Sequence, residues 1–328
     1  MIANFFNQTR PINFLVLSIM VFVIFVIALI NFNDEPINFL FFIKNGSFLA
    51  LAILIVFVLN FIIRKNSLSE DNSYAIFFYI LFCGFFPNVF SNGNIFVSNF
   101  ILLFAFRRIY SLRSGLRTKE KLFDGAFWIG VASWFYIWSL LFLVLVYVGI
   151  YIFRKADWRN VLIPIVGFIT PVFLSFTYLL AFDDLESFYK IWTMDYEIGL
   201  AFYNSAQFLF PLTLIGLMMV VSIFPTTKKS LLANIEFKST WYLLLAHIIV
   251  SLLLMLIAPS KNVAEISFLF FPLSILFANF LQIIKKYWIK EAIIYLFILV
   301  FLGGFFQLLN LIKKERSQAS PSPGTIYP

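Results

Sequence analysis

The chain of 328 residues has one cysteine, Cys83, and one histidine, His247. A single cysteine excludes an intramolecular disulfide and any cysteine-based metal site, and a single histidine excludes a histidine-rich one. Charge is scarce too: 12% of residues are charged, against 62% hydrophobic and 20% aromatic. That leaves too little polar surface to cover a soluble globular domain. Period-two alternation is missing, and a run such as Phe14 to Ile30 is apolar on every side, which excludes a transmembrane β-barrel.

What the sequence does have is a succession of apolar runs, many near the 17–25 residues that cross about 30 Å of hydrocarbon as helix. They fall near 13–31, 47–63, 73–90, 94–106, 123–135, 137–153, 160–181, 206–225, 240–258, 264–284 and 291–312. The expectation is an all-α, polytopic helical bundle of about eleven spans, 10–12 within the uncertainty of boundaries. Residues 1–312 then form one integral membrane domain, and 313–328 a polar tail whose Pro- and Ser-rich end reads as disordered. No small-residue cleavage site follows the first run, so it reads as a retained span. The fourth and fifth runs are short, and Pro87 and the Ser91-Asn-Gly-Asn94 turn predict broken helices there. Such backbone is tolerated only where protein or a water-filled cavity satisfies it.

The net charge of +8 punctuates the gaps between the apolar runs, which points to loop topology and not to nucleic acid. With a cytoplasmic N-terminus, eighteen Lys and Arg fall on one side, including the cluster from Arg107 to Lys121. Lys44, Lys190, Lys261, Lys313, Lys314 and Arg316 fall on the other. The tail cations fit this arrangement least well. The Arg107–Lys121 cluster reads as an anchor to anionic lipid.

The outer face then holds Asp34 and Glu35, the stretch 182–205, and the turn Pro259-Ser-Lys-Asn262. Aromatic and acidic residues alternate in 182–205 in a pattern suited to an interfacial helix. Its Asp183, Asp184, Glu186, Asp195 and Glu197 could bind a cation, but solvated interfacial acids are the simpler reading. Asp34 and Glu35 follow the first span directly, where water reaches a carboxylate at least cost. They could serve as general base on an acceptor hydroxyl or amine, or Asp34 could bind a divalent cation; they could also be a plain acidic turn ended by Pro36. His247, amid Leu, Ile and Ala, is expected to hydrogen-bond to a neighbouring helix, and Asp124 to cap a helix.

Three segments resemble the GT-C superfold of polyprenyl-phosphate glycosyltransferases. Asp34-Glu35 stands where these enzymes place a catalytic acid, after the first transmembrane helix on the outer face. Leu256 to Ala278 is similar to the late segment in which an outer-face cation precedes a Pro-containing helix. By that resemblance Lys261, helped by Lys190, faces the donor's lipid phosphate; Phe268 or Phe270 stands where the family has Tyr. Lys121 to Arg154 is similar to the small-residue segment, with Gly125, Gly130 and Ala132 allowing close helix packing; Ser133 and Trp134 replace its lysine. The chain also resembles uncharacterised polytopic membrane proteins of Bacteroidota in length and composition.

The resemblance implies a bacterial inner-membrane glycosyltransferase that takes a polyprenyl-phosphate-linked sugar from the bilayer on the outer face. The other reading is a non-catalytic integral membrane subunit that scaffolds or regulates an envelope complex for secretion, motility or glycan assembly. The missing tyrosine and lysine and the lack of an acceptor-binding soluble domain favour that second reading. A transporter fits less well, because paired halves with polar residues at mid-membrane are lacking.

Overall fold

A computed structural model describes residues 2–32, 36, 38–194, 206–258 and 263–319, with backbone alone for 206 and 305–319. Among these residues there is no strand. The α-helices are α1 (Ile2–Phe6), α2 (Pro11–Phe32), α3 (Phe39–Lys65), α4 (Tyr74–Phe85), α5 (Gly93–Tyr110), α6 (Thr118–Phe135), α7 (Leu143–Ile152) and α8 (Trp158–Ala181). They continue with α9 (Leu185–Trp192), α10 (Ala206–Leu232), α11 (Ile235–Ile257), α12 (Ser267–Ile283) and α13 (Tyr287–Ala319).

Each of the eleven apolar runs lies in helix, and eight helical stretches among the described residues are long and apolar enough to cross a membrane. This is an integral membrane architecture. The other three runs fall short for separate reasons. α4 has 12 residues, about 18 Å at 1.5 Å per residue. α6 carries Lys119, Glu120, Lys121 and Asp124 in its first half. The stretch Ile137–Ile152 is 3₁₀ helix up to Phe142, and only ten residues are α-helical. α13 continues to Ala319, beyond the boundary expected at 312.

α4 and α12 form the centre. Eleven of the 12 residues of α4 and 14 of the 17 in α12 are buried. α4 can be short because protein surrounds it, so its backbone ends never meet lipid. Pro87 prevents its continuation and starts a 3₁₀ turn, Pro87–Phe90. Phe rings fill the space between the two helices: Phe78 and Phe82 meet Phe277 edge-on at 5.5 and 5.7 Å. Around this pair α2, α3, α8, α10 and α13 turn broad apolar faces outward, as lipid contact requires.

Small residues set the closest helix contacts, as the sequence predicts. A Cβ on Gly130 of α6 would lie 2.5 Å from Pro171 Cγ and 2.9 Å from the Phe168 carbonyl oxygen of α8. Gly167 of α8 sits as tightly on the Phe123 carbonyl. Gly125 faces Ile109 of α5, and Ala132 is fully buried.

One end of the bundle gathers the basic loops. Arg113 donates to Ser67 Oγ at 3.3 Å and pairs with Glu236 at 4.0 Å. Lys229 pairs with Glu70 at 3.1 Å, and Gln282 donates to Ser69 Oγ at 2.8 Å. These contacts draw together the turns after α3, α5, α10 and α12. α1 docks at the same end, where the Ser73 N–H donates to the Phe6 carbonyl.

α9 follows α8 after three residues. Asp184 caps it by accepting the Ser187 N–H at 3.2 Å, and the helix then folds back along α8. Phe188 rests on Phe176 at 5.2 Å and Trp192 on Phe168 at 6.1 Å, so the two helices run antiparallel. The aromatic face of α9 rests on α8.

Candidate active site

The chain leaves α2 at Phe32 and re-enters helix at Phe39, where Asn38 Oδ1 accepts the Phe41 N–H at 2.8 Å and caps α3. Asp34 and Glu35 fall between, outside the described residues. Lys261 also lies outside them, as do Asp195 and Glu197. What the structure does describe is the ground on either side of the acidic pair.

That ground is a cavity. An open cleft of about 730 Å³ is formed by the last turn of α2, the first turns of α3, the Phe90–Asn94 turn and the end of α6. Phe32, two residues before Asp34, is part of its wall. Its polar lining is Lys44, Asn45, Ser91, Asn92 and Asn94, and the rest is apolar. Local hydrogen bonds fix several of these groups. Asn92 Oδ1 accepts the Ile95 N–H at 3.2 Å and starts α5, and Ser91 Oγ donates to the Asn88 carbonyl at 2.7 Å. Asn45 Nδ2 donates to the Phe41 carbonyl at 3.0 Å. Gly93 belongs to the same wall because a Cβ there would meet the Phe48 ring at 2.8 Å. The Ser91-Asn-Gly-Asn94 turn, read from sequence as a helix break, therefore builds one side of the cleft.

Chemically, the lining offers an ammonium, three amides and a hydroxyl beside an apolar wall. This set suits a ligand that is rich in hydroxyl groups and carries negative charge. Lys44 supplies the charge, a role that sequence reasoning gave to Lys190 and Lys261. Lys190 is exposed on α9 and takes no part in the wall.

A second polar feature lies behind the Pro87–Phe90 turn, in the short 3₁₀ helix Ala264–Ile266. Glu265 is 3% exposed, and its carboxyl faces the Tyr136 hydroxyl. Val263, which leads into the turn, has φ +60°. Nearby in the bundle Ser98 and Ser139 share a hydrogen bond of 2.7 Å, and Ser98 Oγ donates to the Ala132 carbonyl at 3.0 Å. Sequence reasoning did not single out Glu265. The available signal was an acid placed four residues after Lys261 at the head of an apolar run.

The remaining candidates resolve as structural groups. His247 Nδ1 is 3.2 Å from the Tyr110 hydroxyl, in a shell made by Phe106, Phe142 and Phe271, so it bonds to a neighbouring helix as expected. Asp124 does not cap a helix. It sits within α6 and pairs with Arg108 at 2.8 Å, because its position faces α5 and not the helix start. Lys121 donates to the Ser111 carbonyl and Ser114 Oγ, so its ammonium loses water; this and the nearby Arg108 hold its pKa below the usual lysine value. Asp183, Asp184 and Glu186 form no metal cluster, and among the described residues no three His, Cys, Asp or Glu side chains come together.

No curated protein and no solved structure matches the chain. A family described as a family of unknown function, DUF6427, matches over residues 9–314. That match covers nearly the whole helical bundle, and the chain accordingly belongs to the DUF6427 family.

Proposed function

We propose that this protein is a GT-C-like glycosyltransferase of a bacterial inner membrane, with its N-terminus in the cytoplasm and its site on the outer face. The observation that supports this reading is the polar cleft at the end of α2, whose wall includes Phe32, two residues before Asp34 in the chain. The cleft lies at the end of the bundle away from the basic loops, which agrees with an outer location under the positive-inside rule. Its size is within the range of small-molecule sites, and its amides and hydroxyl suit a sugar.

In the proposed reaction a polyprenyl-phosphate sugar approaches from the bilayer and an acceptor hydroxyl attacks the anomeric carbon. The new bond forms between acceptor oxygen and sugar, and the bond from sugar to phosphate oxygen breaks. Asp34, assisted by Glu35, takes the acceptor proton. Cationic side chains stabilise the departing phosphate, and the candidates for that role are Lys44 of the cleft and Lys261.

Asp34→Asn and Glu35→Gln test the proposal. Loss of envelope glycan, with normal accumulation of the protein, is the expected result. Unchanged glycan would remove the catalytic role. Stoichiometric co-purification with envelope machinery in that case would favour a scaffold or regulatory subunit.

A further inference from the structure

A groove of about 510 Å³ runs along the side of the bundle between α2 and α13. Its walls are Val16 and Met20 of α2 and Ile298 and Phe301 of α13, and its floor is Phe77 and Leu81 of α4. Ile2 and Phe5 of α1 close its basic end, where Phe6 stacks on Phe77 at 4.7 Å. The lining is almost wholly apolar and shares no residue with the cleft at the end of α2.

Helical register joins this groove to the bilayer. Val16, Met20, Ile24 and Ile27 form one stripe of α2, and Phe77, Leu81 and Gly84 form one stripe of α4. On the adjoining faces, Ile19 and Val23 of α2 and Tyr295 and Leu299 of α13 are exposed. The groove therefore opens sideways between two lipid-contacting edges. Its basic end meets water, since Asn4, Asn7, Gln8 and Arg10 are exposed there. Toward the other end Phe301 blocks it, and a Cβ on Gly84 would overlap that ring. Beyond the ring a cavity of only about 20 Å³ remains, ending at Ile27 and Pro87. From Val16 to Ile27 α2 rises about 16 Å, half of the roughly 30 Å hydrocarbon layer.

We propose that this groove binds one acyl chain of a diacyl phospholipid from the leaflet at the basic end, with Phe301 as the stop that sets how deep the chain reaches. Depth decides the class of ligand. Even with its narrow end included, the groove crosses half the bilayer from the polar surface, which suits a chain that ends within one leaflet. A long polyprenyl chain does not fit. A partner's transmembrane helix fits no better, because such helices approach closely over Gly, Ala and Ser, and the described lining has none of these. Phe, Met, Ile and Leu instead form an uneven wall that a flexible chain can follow. The site does not depend on the glycosyl-transfer reading.

A phosphatidylcholine carrying a diazirine at the end of one acyl chain tests the assignment. It is added in equimolar amount to the full chain in detergent, irradiated, and its adducts are mapped by peptide mass spectrometry. The adducts are expected to concentrate on Leu81, Phe301 and Leu302. Met20→Trp and Leu302→Trp fill the groove and should each lower its labelling by about tenfold, the effect of excluding only two buried methylenes. Leu217→Trp, on the exposed face of α10, should leave it unchanged. Phe301→Ala removes the stop and should carry the adducts inward to Ile24 and Ile27. That variant reads the site without blocking it, which covers a filled variant that fails to fold. Unlabelled phosphatidylcholine should compete, and a polyprenyl phosphate at the same concentration should not. Adducts spread evenly over the exposed faces of α8 and α10 would overturn the proposal. So would undiminished labelling of the folded filled variants, adducts that stay in place in Phe301→Ala, or equal competition by the polyprenyl phosphate.

Discussion

Ser251 of α11 donates a hydrogen bond of 3.1 Å to the carbonyl of Phe268, the carbonyl that Pro272 leaves without its helical N–H partner. A proline at position i cannot bond to the carbonyl at i−4, and in a buried helix that acceptor must find a donor elsewhere. Both residues are buried, so water is no substitute. Ser251→Ala should therefore lower stability by about 1–3 kcal/mol, the cost of an orphaned buried acceptor. Pro272→Ala restores an N–H at the right position, so the double variant should recover much of the loss. Thermal unfolding in detergent reads both.

The contact between α6 and α8 depends on the absence of a side chain. Gly130→Ala places a methyl against Pro171 and the Phe168 carbonyl, and overpacking of this kind costs about 1–3 kcal/mol. Gly216 of α10 is the control, because nothing lies within 4 Å of its missing Cβ. Gly216→Ala should leave the melting temperature unchanged or raise it, since alanine favours helix.

His247 and Tyr110 form a buried polar pair among phenylalanines. With the tyrosine hydroxyl as donor, Nδ1 is the acceptor and the ring proton lies on Nε2. Tyr110→Phe or His247→Phe alone strands the other group and should cost about 1–2 kcal/mol. Replacing both should cost less than the sum of the two. An additive double-mutant cycle would show that the pair is not coupled.

The last helix clasps the first. Glu291 Oε1 accepts the Ala3 N–H at 3.1 Å and the Tyr287 hydroxyl at 2.7 Å, and Tyr74 donates to the Ala3 carbonyl. Glu291→Ala removes the acceptor and should release α1, seen as faster hydrogen exchange at residues 2–6. Glu291→Gln retains an acceptor oxygen and should have a smaller effect. Equal exchange in all three proteins would show that α1 is held by its apolar contacts alone.

Much of the architecture was legible because apolar runs and basic gaps are local signals. Each run became helix, and the loops grouped by their Lys and Arg do meet at one end, where Arg113 reaches both Ser67 and Glu236. Gly130 was legible as a packing residue, but its partner Pro171 was not, because spacing within one helix carries no record of its neighbour. Asp124 was misassigned for the same reason: its partner Arg108 lies on a different helix. Glu265 was passed over because only the fold turns an acid at a helix start into a buried group.

The sequence by itself determined that the chain is a helical membrane protein, where its breaks fall, and which loops share a side. Hydrophobicity and charge act residue by residue against the bilayer, so these properties need no partner. Only the tertiary structure decided that the 12-residue α4 stands at the centre, that α9 turns back along α8, and that Phe32, Lys44 and the Ser91–Asn94 turn enclose one cleft. Those outcomes depend on which helices meet, and that is fixed by complementary packing between segments far apart in the chain.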